Sequence, residues 1–96
     1  MEKILIVDDS LLQATQIKAI LDNEYDITIA QTAEEGLTRV SKEDYSLILL
    51  DVVMPGMDGF TLLKKLQEEI RTQSVPVILL TSLSDVANEE YGLILG

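Results

Sequence analysis

Apolar residues recur along this chain in two rhythms. Short unbroken runs, Ile4-Leu5-Ile6-Val7, Leu47-Ile48-Leu49-Leu50 and Val77-Ile78-Leu79-Leu80, alternate with stretches where apolar positions return every three or four residues. The brevity and β-branched content of the runs favour strand over helix. Tyr25 to Ala30 instead sets Tyr25, Ile27 and Ile29 against Asp26, Thr28 and Ala30, as a half-buried or edge strand does. The strands expected are therefore Lys3 to Val7, Tyr25 to Ala30, Ser46 to Leu50 and Val77 to Leu80. Leu47 to Leu50 is apolar on both faces, the pattern of a central parallel strand.

Helices fill the intervals. Ser10-Leu11-Leu12-Gln13 fits a capping box, and Ala14, Ile17, Ile20 and Leu21 follow at helical spacing until Asp22-Asn23-Glu24 breaks it. Thr32-Ala33-Glu34-Glu35 is a second box, with Ala33, Leu37 and Val40 as its apolar stripe. Asp58-Gly59 opens a third helix with the stripe Leu62, Leu63, Leu66 and Ile70. Ser84 caps a fourth, with Val86, Ala87, Tyr91 and Ile94 inward and Gly96 at its end. The order βαβαβαβα predicts an α/β fold with a parallel sheet and right-handed crossovers. No repeat, low-complexity tract or linker divides the chain, so residues 1–96 read as one domain.

Composition narrows the chemistry. A chain of 96 residues, 47% hydrophobic, is enough for one small core. With no cysteine there is no disulfide or thiolate chemistry, which fits a cytoplasmic protein. With no histidine either, the usual zinc sites and Ser-His-Asp catalysis are excluded. No apolar run is long enough to span a bilayer, and Asp8-Asp9 stops the first run too early for a signal peptide. The formal net charge of −10 repels phosphate backbones, which argues against direct nucleic-acid binding.

Three apolar runs end in chemistry: the first in Asp8-Asp9, the second in Asp51, the third in Thr81-Ser82. In open α/β sheets, ligands bind at the carboxyl edge, where strand ends converge. Taken singly, each feature has a plain reading. Asp8-Asp9 suits a turn and helix cap, Asp51 a turn, Met54 to Gly59 a tight loop, and Thr81 a strand end. Glu34-Glu35, Glu68-Glu69 and Glu89-Glu90 read as solvated helix faces, and the helix stripes as core. Their conjunction is what points to a site. If the first and third strands are neighbours, three carboxylates crowd together and call for a cation. Carboxylate and backbone oxygens suit Mg²⁺, which keeps waters and phosphate oxygens in its shell. An aspartate beside such an ion can attack phosphorus and form an aspartyl-phosphate. Thr81 then offers a hydroxyl to a phosphoryl oxygen, and the small Ser82 lets its backbone N–H approach.

These motifs resemble the receiver domain of two-component response regulators. Ile4-Leu5-Ile6-Val7-Asp8-Asp9-Ser10 looks like that family's acid-pair strand. Leu49 to Gly59, with Asp51 and Met54-Pro55-Gly56-Met57-Asp58-Gly59, looks like its phosphorylation-site loop. Val75 to Ser82 looks like its switch strand. The resemblance spans all 96 residues. It implies a flavodoxin-like sheet of order 2-1-3-4, with Asp51 as phosphoacceptor. Mg²⁺ would be held by the side chains of Asp9 and Asp51 and by the Val53 carbonyl, with Asp8 helping through a water. The implied partners are a histidine kinase or phosphotransfer protein and an output domain in a longer chain. Family receivers have a fifth strand and helix, whose lysine and switch aromatic have no counterpart here. Lys64 and Lys65 fall on the third helix and do not take that lysine's place. The chain thus resembles a truncated receiver, for which an exposed fourth strand predicts self-association.

Three functions compete on this reading. The first is a phosphoacceptor module, which is not an enzyme beyond handling its own phosphoryl group. The second is an interaction or dimerisation fragment that no longer signals. The third is an aspartate-dependent phosphatase, disfavoured because Val53 stands where such enzymes carry a second acid.

Overall fold

The structure, a computed structural model, describes residues 1–52 and 59–80. Along these residues run β1 (Lys3–Val7), α1 (Leu11–Leu21), β2 (Asp26–Ala30), α2 (Ala33–Lys42), β3 (Leu47–Asp51), α3 (Gly59–Glu68) and β4 (Val77–Leu80). The strands form one parallel sheet of order β2-β1-β3-β4, the arrangement expected from the flavodoxin-like resemblance. The fourth helix expected after Ser84 lies outside the described residues.

The alternation within each strand sorts its side chains onto two faces. Leu5, Val7, Ile48 and Leu50 pack with Ala33 and Val40 of α2 and with Leu62, Leu63 and Leu66 of α3. Ile4, Ile6, Ile27 and Leu49 point the other way, against Ala14, Ile17 and Leu21 of α1. β1 and β3 are covered on both faces, which is why their sequences are continuously apolar. Gly36 lets α2 lie close to the sheet: a Cβ there would meet Val7 Cγ2 at 3.1 Å and Leu62 Cδ2 at 3.7 Å.

Both expected capping boxes place their cap, each with a change of partner. Ser10 Oγ accepts from the Gln13 amide at 3.2 Å, but the Ser10 amide donates to Asp8 Oδ1 at 2.9 Å. Thr32 Oγ1 accepts from the Glu35 amide at 3.1 Å, while the Glu35 carboxylate reaches one residue further back, to the Gln31 amide at 3.3 Å. Two expected core positions are corrected. Ile20 is 78% exposed. It sits roughly a quarter turn from the line of Ala14, Ile17 and Leu21 at 3.6 residues per turn. Ile70 is 86% exposed, because α3 ends at Glu68. There buried Thr72 donates its hydroxyl to the Leu66 carbonyl at 2.6 Å, satisfying a carbonyl the helix leaves open.

At the amino edge of the sheet, buried Tyr45 donates its hydroxyl to Glu43 Oε2 at 2.8 Å. Burial pushes the Tyr45 phenol above its ordinary pKa, and the Glu43 carboxylate adds to this. The same hydrogen bond, followed by the charge of Lys3 at 3.7 Å, holds the Glu43 carboxyl below its ordinary range. The two groups act on stability at opposite ends of the pH scale. Glu43 contributes above the ordinary carboxylate range, and its contribution is lost as pH falls through its lowered value. Tyr45 contributes fully below the ordinary phenol range, near ~10, and its contribution is lost as pH rises through its raised value. Tyr45→Phe should therefore cost about 1 kcal/mol at neutral pH and flatten the alkaline limb of stability. Thermal melts of parent and variant across the alkaline range check this: the parent should lose more stability between pH ~9 and ~11.

Candidate functional site

Parallel pairing brings the acidic ends together. Val7 of β1 stands opposite Leu50 of β3, so the next residues, Asp8 and Asp51, come side by side at the carboxyl edge. Asp51 is itself the last residue of β3, one step further into the strand than its sequence implied, and it pairs in register with Leu80. The Asp8 amide donates to the Ala30 carbonyl at 2.9 Å, and the Val52 amide donates to the Leu80 carbonyl at 3.3 Å. Each acid-bearing segment is thus stitched to its outer neighbour as well. One carboxylate oxygen from each of Asp8, Asp9 and Asp51 lies within 4.8 Å of the others.

The three carboxylates differ in setting. Asp8 is fully buried, Asp51 half-buried and Asp9 exposed. Asp8 Oδ1 caps the first helix through the Ser10 amide, whereas Asp8 Oδ2 is buried without a hydrogen-bond partner among the described residues. A buried acceptor left unsatisfied costs about 1–3 kcal/mol, and more when charged. Like charges roughly 4 Å apart repel by about 1 kcal/mol even in water and by more in a drier site. Both costs fall when a cation joins the cluster. An all-oxygen carboxylate set suits a hard divalent ion, so the residues fit the metal that their sequence implied.

Among the site residues read from sequence, the structure brings Asp8, Asp9 and Asp51 together. Val53, Thr81 and Ser82 lie outside the described residues. Lys64 and Lys65 are exposed on α3. Three contributors escaped the sequence reading. Ser10 was seen as a cap, yet its amide also fixes Asp8. Ala30 supplies a carbonyl that no side-chain pattern announces. Gly59, read as a helix start and as the end of the phosphorylation-site loop but not as a contact to the strand, donates its amide to the Val52 carbonyl at 3.1 Å. A groove of about 400 Å³ between α2 and α3, lined by Leu37, Val40, Lys65 and Arg71 among others, includes none of the three acids. Cavity volume therefore does not mark the chemistry here.

The comparisons with known proteins converge on one family. The family model for the response regulator receiver domain matches residues 4–96. The response regulator PleD of Caulobacter vibrioides is 37% identical over 92 residues, which are 95% of this chain and 20% of PleD. Protein PilH of Pseudomonas aeruginosa is 30% identical over 93 residues, 96% of this chain and 77% of PilH. The crystal structure of a response regulator from Chloroflexus aurantiacus, described as putative, superposes with a TM-score of 0.90 at 30% identity, covering 99% of this chain and 79% of that one. The chain spans about a fifth of PleD, so PleD's activity as a whole is not transferred by this likeness. With its fold, its carboxylate cluster and these relatives in agreement, the chain belongs to the response regulator receiver domain family of two-component systems.

Proposed function

We propose that this receiver domain, residues 1–96, accepts a phosphoryl group on Asp51 with the help of Mg²⁺. The observation that carries the reading is the convergence of Asp8, Asp9 and Asp51, with buried Asp8 Oδ2 unpartnered among the described residues. Asp9 and Asp51 would hold the ion through their side chains, Val53 through its carbonyl, and Asp8 through a water. An ion held there would supply positive charge that offsets the negative charge on the transferring group. The Asp51 carboxylate attacks phosphorus, forming an O–P bond as the bond to the donor breaks. The leaving group takes the electron pair and is protonated. With a phosphohistidine donor the broken bond is P–N and the leaving group is imidazole. Thr81 and Ser82 receive the phosphoryl oxygens. An output domain elsewhere in a longer protein would respond to this added charge.

The site also needs a donor that can reach it. α1 begins two residues beyond Asp9 and exposes Leu11, Leu12, Thr15, Gln16, Ala19 and Ile20, none of them charged. A neutral, largely apolar face is conspicuous on a chain with 17 acidic and seven basic residues. Such patches mark association sites. This face is where a histidine kinase or phosphotransfer protein, acting in the cytoplasm, docks to present its phosphohistidine. No described helix is long and apolar enough to cross a membrane.

A second reading, an interaction module that does not signal, draws on Ile78, which is 51% exposed on β4. β4 ends the sheet among the described residues, and an open strand edge can pair with a second copy. Phosphorylation separates the two readings.

Incubation with acetyl phosphate and Mg²⁺ should add one hydroxylamine-labile phosphoryl group, and Asp51→Asn should abolish it. Mass spectrometry that finds the same label on the variant would reject Asp51 as acceptor. Leu12→Glu should leave labelling by acetyl phosphate within about twofold of the parent. The same variant should slow transfer from a histidine-phosphorylated kinase at least tenfold, the effect of losing about 1.4 kcal/mol of transition-state binding. Equal slowing with both donors would place the damage in the site rather than on a docking face.

A further inference from the structure

We infer that Gly59 is a positioning residue for Asp51, and that α3 and the cation site are thereby mechanically coupled. The inference rests on the metal-binding reading proposed above. Its basis is a contact between backbones. A Cβ built on Gly59 would overlap the Asp51 carbonyl oxygen and the Val52 Cα, with the Asp51 carbonyl carbon at 3.0 Å. These are main-chain atoms, so no flexible side chain can swing aside to make room. The Gly59 amide also donates to the Val52 carbonyl at 3.1 Å. The first residue of α3 is therefore seated on the segment that carries the proposed acceptor.

Neither side of this contact can yield freely. Asp51 is in register with Leu80, the Val52 amide donates to the Leu80 carbonyl at 3.3 Å, and the Val52 side chain is buried. On the other side, α3 is anchored by buried Leu62, Leu63 and Leu66 in the core beneath the sheet. A methyl group at Gly59 must shift either the Asp51 backbone or the helix. Mg²⁺ demands near-ideal octahedral geometry at roughly 2.0–2.1 Å, so it tolerates a displaced ligand poorly. Outer contacts that orient metal ligands commonly change affinity by about 10–100-fold when lost. Coupling of this kind is reciprocal: if Gly59 sets the position of Asp51, a cation on Asp51 must steady Gly59.

The test combines Mg²⁺ titrations followed by NMR with amide exchange on the parent chain. Gly59→Ala should weaken Mg²⁺ binding at least tenfold. Gln67→Ala, on the exposed face of the same helix, should stay within about twofold of the parent. Mg²⁺ should slow exchange of the parent's Gly59 amide severalfold, a readout that stands even if Gly59→Ala fails to fold. A folded Gly59→Ala variant with the parent's Mg²⁺ affinity would overturn the inference and leave the site reading intact. So would a Gly59 amide whose exchange ignores bound Mg²⁺. A parent chain that binds no Mg²⁺ would overturn the site reading and this inference with it.

Discussion

Everything distinctive about this molecule depends on the register between β1 and β3. Val7 opposite Leu50 sets Asp8, just past the end of β1, beside Asp51, the last residue of β3, so the two acidic segments meet at one edge of the sheet. A slip of one residue would turn every side chain of a strand to the opposite face. Here such a slip would exchange the residues packed on α1 with those packed on α2 and α3, so the core itself enforces the register. Burial of Leu5, Ile6, Val7, Ile48 and Leu50 thereby holds carboxylates where they would not gather on their own.

That arrangement accepts a local cost. Asp8 is buried, and one of its oxygens finds no partner among the described residues. Asp51 stands within reach of it, on a chain whose formal charge is already −10. The backbone absorbs part of the cost: Asp8 Oδ1 accepts the Ser10 amide, and the Asp8 amide is held by Ala30. One carboxylate thus does two jobs. The plain reading of Asp8 as a helix cap and the functional reading as part of a cation site are both accommodated, one oxygen to each.

The sequence made the frame legible because its strands are short, apolar and bounded by polar residues. β1 and β4 fall where the runs Lys3 to Val7 and Val77 to Leu80 stand, and β3 differs by a single residue at its ends. The acid cluster was legible from the conjunction of three strand ends, not from any one of them. Side-chain facing was less so. Ile20 matched a spacing rule loosely satisfied by several residues of a helix with apolar side chains on both its buried and its exposed sides, and Ile70 matched a stripe that the end of α3 at Glu68 cuts short. The close approaches at Gly36 and Gly59 could not be read from the sequence, since a close approach depends on what lies opposite in space. The partner swaps at the two caps are also spatial: Asp8 supplies a carboxylate the first motif does not include, and in the second the Glu35 carboxylate takes the Gln31 amide in place of that of Thr32.

The central claim is that a hard divalent cation is bound where β1 and β3 end, not loosely over an acidic surface. Paramagnetic Mn²⁺, added at low stoichiometry to isotopically labelled protein in Mg²⁺-free buffer, decides between these by distance. The account predicts that amide signals of Asp8, Asp9, Ser10, Asp51 and Val52 broaden first, and that excess Mg²⁺ restores them. Broadening that instead begins on the acidic helix faces at Glu34-Glu35 and Glu68-Glu69, with the strand ends untouched, would contradict it.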